Sequence, residues 1–191
     1  KIRDACAVAR KNGYRYIWVD SCCIDKSSSS ELSEAINSMY KWYSLADVCY
    51  AYLADVPPRK NWGWDSCFRE SRWFERGWTL QELIAPVNVE FLSQDWTPIG
   101  SKHTLDSLVE EITGISRRAL LHLEPLDSFS VAQRFSWVGR RRTTREEDEA
   151  YSMLGIFGIH MPTLYGEGSH AFRRLQERIM QRIPDQSLFA W

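Results

Sequence analysis

The segment Ser71 to Leu83, SRWFERGWTLQEL, places three tryptophan or phenylalanine rings, two arginines and two carboxylates within thirteen residues. Trp78 and Glu82 are four apart, so a helix would stack them on one face. A carboxylate beside an indole is partly desolvated. Such a group can recognise a cationic ring, or act on a sugar whose reaction builds positive charge. The same spacing also suits plain packing, with Trp in the core and Glu at the helix edge.

These side chains need a frame. Ile2, Cys6 and Ala9 recur at helical spacing, and Gly13 offers a stop. Tyr14 to Asp20 (YRYIWVD) is rich in β-formers and predicts a strand ending in an acid. Ser27 to Ser30 supplies cap candidates ahead of the stripe Leu32, Ile36, Met39 and Tyr43. Val48 to Leu53 predicts a strand buried on both faces. A loop follows over Pro57 to Gly63, then a helix from Trp78 to Ile84 that stops before Pro86. Val87 to Leu92 alternates and predicts a further strand.

This order predicts an α/β layer with a mostly parallel sheet flanked by helices. Ligand sites in such sheets lie beyond the carboxyl ends of the strands. Asp20, Asp25 and the loop after Leu53 fall at that edge, and the helix bearing Glu82 can face the same crevice.

The second half reads as helical. Leu105, Leu108, Val109 and Ile112 form a stripe ended by Gly114. Thr144 and Glu147 have capping-box spacing. Ala150, Met153, Leu154 and Phe157 continue to Gly158. Phe172, Leu175, Ile179 and Ile183 form the last stripe, capped by Ser169. No linker separates the halves, which predicts a single domain over 1–191, with an α/β part over 1–100 and a helical extension over 101–191. Arg140 to Glu149 reads as a loop and helix start, with Arg145 and Asp148 bonding back to the first half. Trp137, Tyr165 and Trp191 read as core or interface rings.

Composition narrows the classes. A net charge of −1 argues against a global pull on nucleic acid. No apolar run approaches the roughly 20 residues of a membrane span. Five cysteines, an odd number without a CxxC pair, argue against a disulfide framework or a zinc site. They read as buried reduced thiols of an intracellular protein. The histidines lack ligand spacing, so no metal is expected. The chain opens on Lys1 without a signal-peptide pattern, which reads as a piece of a longer protein.

Three blocks together resemble the fungal HET (heterokaryon incompatibility) domain: YIWVDSCCIDK (Tyr16 to Lys26), SRWFERGWTLQELIAP (Ser71 to Pro86), and SWVGRRRTTREEDEAYSMLGIFGIHMPTLYGEG with AFRRLQERI and DQSLFAW (Ser136 to Trp191). The family usually has Leu-Cys where this chain has Cys22-Cys23, and Gln where it has Lys26. It also normally opens with a further strand carrying a Ser-x-x-Trp-Gly-like segment, so the resemblance implies an α/β part lacking its first strand. HET domains are in turn similar to TIR domains, whose flavodoxin-like fold carries Trp-Cys-x-x-Glu-Leu on a helix. Trp78-Thr79-Leu80-Gln81-Glu82-Leu83 matches that spacing, with Thr79 in place of Cys.

The resemblance implies a cytoplasmic signalling domain that triggers programmed cell death in non-self recognition and self-associates on activation. The TIR likeness implies NAD⁺ as substrate and Glu82 as the catalytic acid, with no other cofactor. Nicotinamide leaves without a general acid, so one carboxylate can serve. Trp73 or Trp78 could then stack on the nicotinamide or adenine, Arg72 or Arg76 hold the pyrophosphate, and Asp20 and Asp25 bind ribose hydroxyls or hold the loop. The absence of a GxGxxG turn argues against hydride chemistry on a dinucleotide fold. The alternative is a non-catalytic module that uses the same surface to assemble with itself or with partners.

Overall fold

The computed structural model describes residues 1–190, so the ring of Trp191 lies outside them. Helix α1 (Ile2–Lys11) ends at Gly13, whose φ of 86° is the left-handed geometry that glycine adopts without cost. Helix α2 (Asp20–Cys23) is short, and α3 (Ser29–Ser44) is capped by the Ser28 hydroxyl, which accepts from Glu31 N–H. Strand β1 (Cys49–Tyr52) follows. Then come α4 (Trp64–Arg69), a 3₁₀ turn (Arg72–Glu75) and α5 (Thr79–Ile84). Strands β2 (Val89–Leu92) and β3 (Pro98–Ser101) form a hairpin that sequence reasoning did not anticipate.

The sheet has three strands in the order β1-β2-β3. β1 and β2 run parallel, pairing Cys49 with Val89 and Ala51 with Phe91; β3 is antiparallel to β2. The structure is thus mixed α/β with helices around a small sheet, half parallel rather than mostly so. The expected strand at Tyr14 to Asp20 does not form. Tyr14 to Val19 joins no ladder, and Asp20 opens α2 instead. Trp18 meets Trp42 and Tyr43 edge-on, with ring centroids 5.5 and 5.6 Å apart. Ring contacts with α3, not sheet bonds, hold this segment. β1 also differs from expectation: Cys49 and Ala51 are buried, but Tyr50 and Tyr52 are only half-buried. Cys22 and Cys23 are exposed on α2, and of the five free thiols only Cys49 is buried.

The second half supplies α6 (Asp106–Thr113), α7 (Arg117–Leu120), α8 (Val131–Ser136), α9 (Glu147–Tyr151), α10 (Leu154–Phe157) and α11 (His170–Arg182). The Ala150 to Phe157 stripe is therefore two short helices. The Thr144–Glu147 capping box is not made. Glu147 Oε1 instead accepts from Gly166 and Gly168 N–H at 2.7 and 3.1 Å. Asp148 and Arg145 likewise do not reach back to the first half: Asp148 accepts from the Tyr165 hydroxyl, and Arg145 lies over the Tyr165 ring. These contacts fold the Tyr-Gly-Glu-Gly segment onto α9.

One hydrophobic cluster runs through both halves, from Ile36 to Leu188, and includes Phe68, Phe91, Phe135 and Tyr151. Trp137 belongs to it, packed edge-on against Phe129. α10 sits directly on α3. A Cβ on Gly155 would meet Tyr40 Cβ at 2.1 Å, so only glycine permits that approach. Asn37 secures the same junction, accepting from Met161 N–H at 3.0 Å and donating to Met161 O at 3.1 Å.

Candidate functional site

A cavity of about 520 Å³ lies between the 14–19 segment and the outer edge of β1. Its size is that of a small-molecule site. Asp20, Trp73, Arg76 and Glu82 all line it. The wall beside them is aromatic, including Trp18, Trp42 and Tyr43. These residues come from several elements, and the bonds around α5 fix the one that carries Glu82.

Glu82 rides on α5, which is fixed at both ends. At its start, the buried Thr79 hydroxyl donates to the Trp73 carbonyl at 2.7 Å. Arg141 Nη1 donates to Thr79 Oγ1 at 2.6 Å and to Arg76 O at 2.9 Å. Mid-helix, Gln81 Nε2 donates to Ser152 O at 2.7 Å. At the end, the buried Lys102 ammonium donates to Leu83 O at 3.1 Å and to Pro86 O at 2.5 Å. His122 Nε2 pairs with Ile84 O at 2.6 Å. Cationic and ring donors at a helix end satisfy carbonyls that the helix leaves open. Gly77, between Arg76 and α5, has Thr143 Cγ2 where a Cβ would stand, at 2.4 Å. The backbone of this corner is thereby held close to the 142–143 segment.

The electrostatics follow from that burial. Desolvation pushes the Glu82 carboxyl above the ordinary carboxylate range, and the Asp20 charge pushes the same way. Arg76, Arg141 and Lys1 oppose the shift. Burial raises the Tyr43 phenol, and the Glu82 carboxylate raises it further. Burial also raises the Cys49 thiol, with Glu82 adding to it. Desolvation lowers Lys102 to about 8 and Arg141 to about 10, the latter against the pull of Glu82. A carboxyl held toward its neutral form among aromatic rings regains its charge when a cation enters beside it.

The structure gathers Asp20, Trp73 and Arg76 with Glu82, and leaves Asp25, Arg72 and Trp78 outside the cavity. Asp25 is exposed and closes a turn, accepting from Ser27 N–H at 2.9 Å and Ser27 O–H at 2.6 Å. Those bonds hold its carboxyl below the usual range. Arg72 is 79% exposed and pairs with Asp55, which also accepts from Ser71. Trp78 is the residue before α5, and its ring packs into the hydrophobic clusters. The aromatic surface near Glu82 therefore comes from Trp73, Trp18 and Tyr43. Trp18 was open to detection, two residues before Asp20 in the same block. Tyr43 was legible only as a member of the α3 stripe. Trp96 and Lys1, which also line the cavity, carried no sequence signal. No metal-binding cluster occurs among the described residues, and no helix there is long and apolar enough to cross a membrane.

Residues 1–60 match the heterokaryon incompatibility (HET) family, and residues 170–191 match a domain of unknown function, DUF8212. In an alignment of 187 positions that covers 94% of the chain, it is 49% identical to the vegetative incompatibility protein HET-E-1 of Podospora anserina. It spans 14% of the length of that protein. No solved structure matches. The family match at its start and this identity along nearly all of it support a fungal heterokaryon incompatibility (HET) domain in this chain.

Proposed function

We propose that this domain acts in fungal heterokaryon incompatibility as an NAD⁺ glycohydrolase, with Glu82 as the acid at the reacting sugar. The incompatibility role rests on the likeness to HET-E-1. The chemistry rests on one observation: Glu82 is held by desolvation and Asp20 toward its neutral form in an aromatic cavity that it shares with Arg76. The nicotinamide ring of NAD⁺ is cationic, and its entry beside Glu82 favours the carboxylate. As the bond between ribose C1′ and the ring nitrogen breaks, the electron pair leaves with neutral nicotinamide. Positive charge passes to the sugar, where the carboxylate stabilises it. Water then adds to C1′ and loses a proton, giving ADP-ribose. Arg76 offers the pyrophosphate a cation, and Asp20 offers the ribose hydroxyls an acceptor.

The order α3, β1, α4, α5, β2 with parallel β1 and β2 supports the TIR-like reading of the first half. In this account the domain self-associates when activated, in the cytoplasm, and depletion of NAD⁺ kills the cell. Incubating the chain with NAD⁺, dilute and artificially clustered, and measuring free nicotinamide tests it. Release that depends on Glu82 supports the reading. Cell killing that survives complete loss of NAD⁺ cleavage would point to a non-catalytic assembly module instead.

A further inference from the structure

We propose that Tyr52 and Trp96 form a stacking platform for the adenine base, at a second station of the Glu82 cavity. The assignment rests on the NAD⁺ reading of that cavity. Both rings line it together with Glu82, and they stack with centroids 4.1 Å apart and planes 19° from parallel. Trp96 is held in a costly conformation. Its φ is 64°, in the left-handed region where a bulky side chain is an outlier. Such strain persists only where the surroundings enforce it, and it concentrates at functional sites.

The enforcement is visible. Trp96 sits in the turn between β2 and β3, where Ser93 and Thr97 hydroxyls donate to Asp95 Oδ1 at 2.6 and 2.8 Å. Trp96 N–H donates to Ser93 O at 2.9 Å, and Ser93 N–H to Thr97 O at 3.0 Å. The Tyr52 hydroxyl donates to Gln94 O at 3.0 Å, which ties the second ring to the same turn. Asn or Gly would occupy this backbone position with less strain. The indole at this position stacks on Tyr52. It extends a rigid aromatic face along the cavity, which is what a purine needs for stacking.

The remaining chemistry fits a dinucleotide. Glu82 and Asp20 suit the cationic ring and its ribose, and Arg76 and Lys1 offer positive charge for a pyrophosphate. The stacked pair supplies the further planar surface that the adenine half requires.

The test measures binding of three probes, NAD⁺, ADP-ribose and nicotinamide mononucleotide, to the chain and to its Trp96→Ala and Trp96→Phe variants by calorimetry. Trp96→Ala should weaken ADP-ribose and NAD⁺ between about fivefold and a hundredfold, the range of one lost base stack. It should leave nicotinamide mononucleotide, which has no adenine, within about twofold. Trp96→Phe keeps a ring and should recover most of the loss. Unchanged ADP-ribose binding by Trp96→Ala overturns the assignment. So does equal weakening of all three probes, which would mean that the ring only supports the cavity wall. If the unsubstituted chain binds none of them, the NAD⁺ reading itself falls, and the platform with it.

Discussion

Asp20, the first residue of α2, and Glu82, in the middle of α5, face one cavity, and the charge of Asp20 adds to burial in raising the Glu82 carboxyl. Two acids brought together from distant parts of the chain cost stability. That cost is measurable, and it should be recovered when either charge is removed.

The first prediction concerns stability and pH. A carboxyl whose folded-state pKa is raised favours the fold most when protonated. Its contribution is complete below the unfolded value, near 4.5, and is lost as pH rises through the higher folded value. Glu82→Gln should therefore be more stable than the parent at pH 7, by about 0.5–2 kcal/mol. The difference should vanish below pH ~4.5, where the carboxyl of the unfolded chain is also protonated. Urea denaturation at a series of pH values reads both effects.

The second prediction couples the proton to the ligand. A cation that prefers the carboxylate must displace the proton held on Glu82. Affinity for the 1-methylnicotinamide cation should thus rise with pH below the Glu82 value, by at most about tenfold per unit, and level off above it. Glu82→Gln should bind the cation weakly and without that slope. Titration calorimetry in buffers of different ionisation heat would also count the released proton.

A third prediction concerns the far end of α5. Lys102 is fully buried, donates to two main-chain carbonyls and is lowered to about 8. A lysine lowered in the folded state adds stability above its unfolded value, and that contribution is lost as pH falls through the folded one. The parent should gain stability between pH 8 and 10.5 from this group. Lys102→Met should lack that gain and lose about 1–3 kcal/mol at pH 7, because the Leu83 and Pro86 carbonyls stay buried without their donor. Denaturation curves at pH 7, 9 and 10 separate the two contributions.

The fourth prediction tests how the halves meet. Gly155→Ala drives a methyl group into Tyr40 at 2.1 Å. The resulting shift of α10 from α3 should cost about 1–3 kcal/mol or more. A matched Gly158→Ala, at a position with φ of 63° and open space around it, should cost only its backbone strain, on the order of 1 kcal/mol. Thermal melts of the two variants should differ accordingly.

Much of the frame was legible because its signals were local. The α3 stripe with its serine cap, the Gly114 and Gly158 stops and the Trp78 to Ile84 helix all follow from spacing and capping. The α5 block pointed to Glu82 and to its companions Trp73 and Arg76. Several of the misreadings share a cause, which is contact at long range. Tyr14 to Val19 has strand composition, but a strand also needs a neighbour, and here a cavity stands where the neighbour would be. Thr144 and Glu147 have the spacing of a cap, yet two glycine N–H groups further along compete for the carboxylate and win. Asp25 and Arg72 were near the site in sequence, but Ser27 and Asp55 hold them elsewhere. Trp96 owes its conformation to the bonded turn around it, whose Ser93, Asp95 and Thr97 bonds do not show in residue periodicity.

The most direct measurement of the central claim is nicotinamide release from NAD⁺ by the chain and by Glu82→Gln, which keeps the shape of the side chain and removes its charge. The account predicts turnover by the parent and a fall of about a hundredfold or more in the variant, with the variant folded and still binding ADP-ribose. Equal turnover by the two proteins would contradict it.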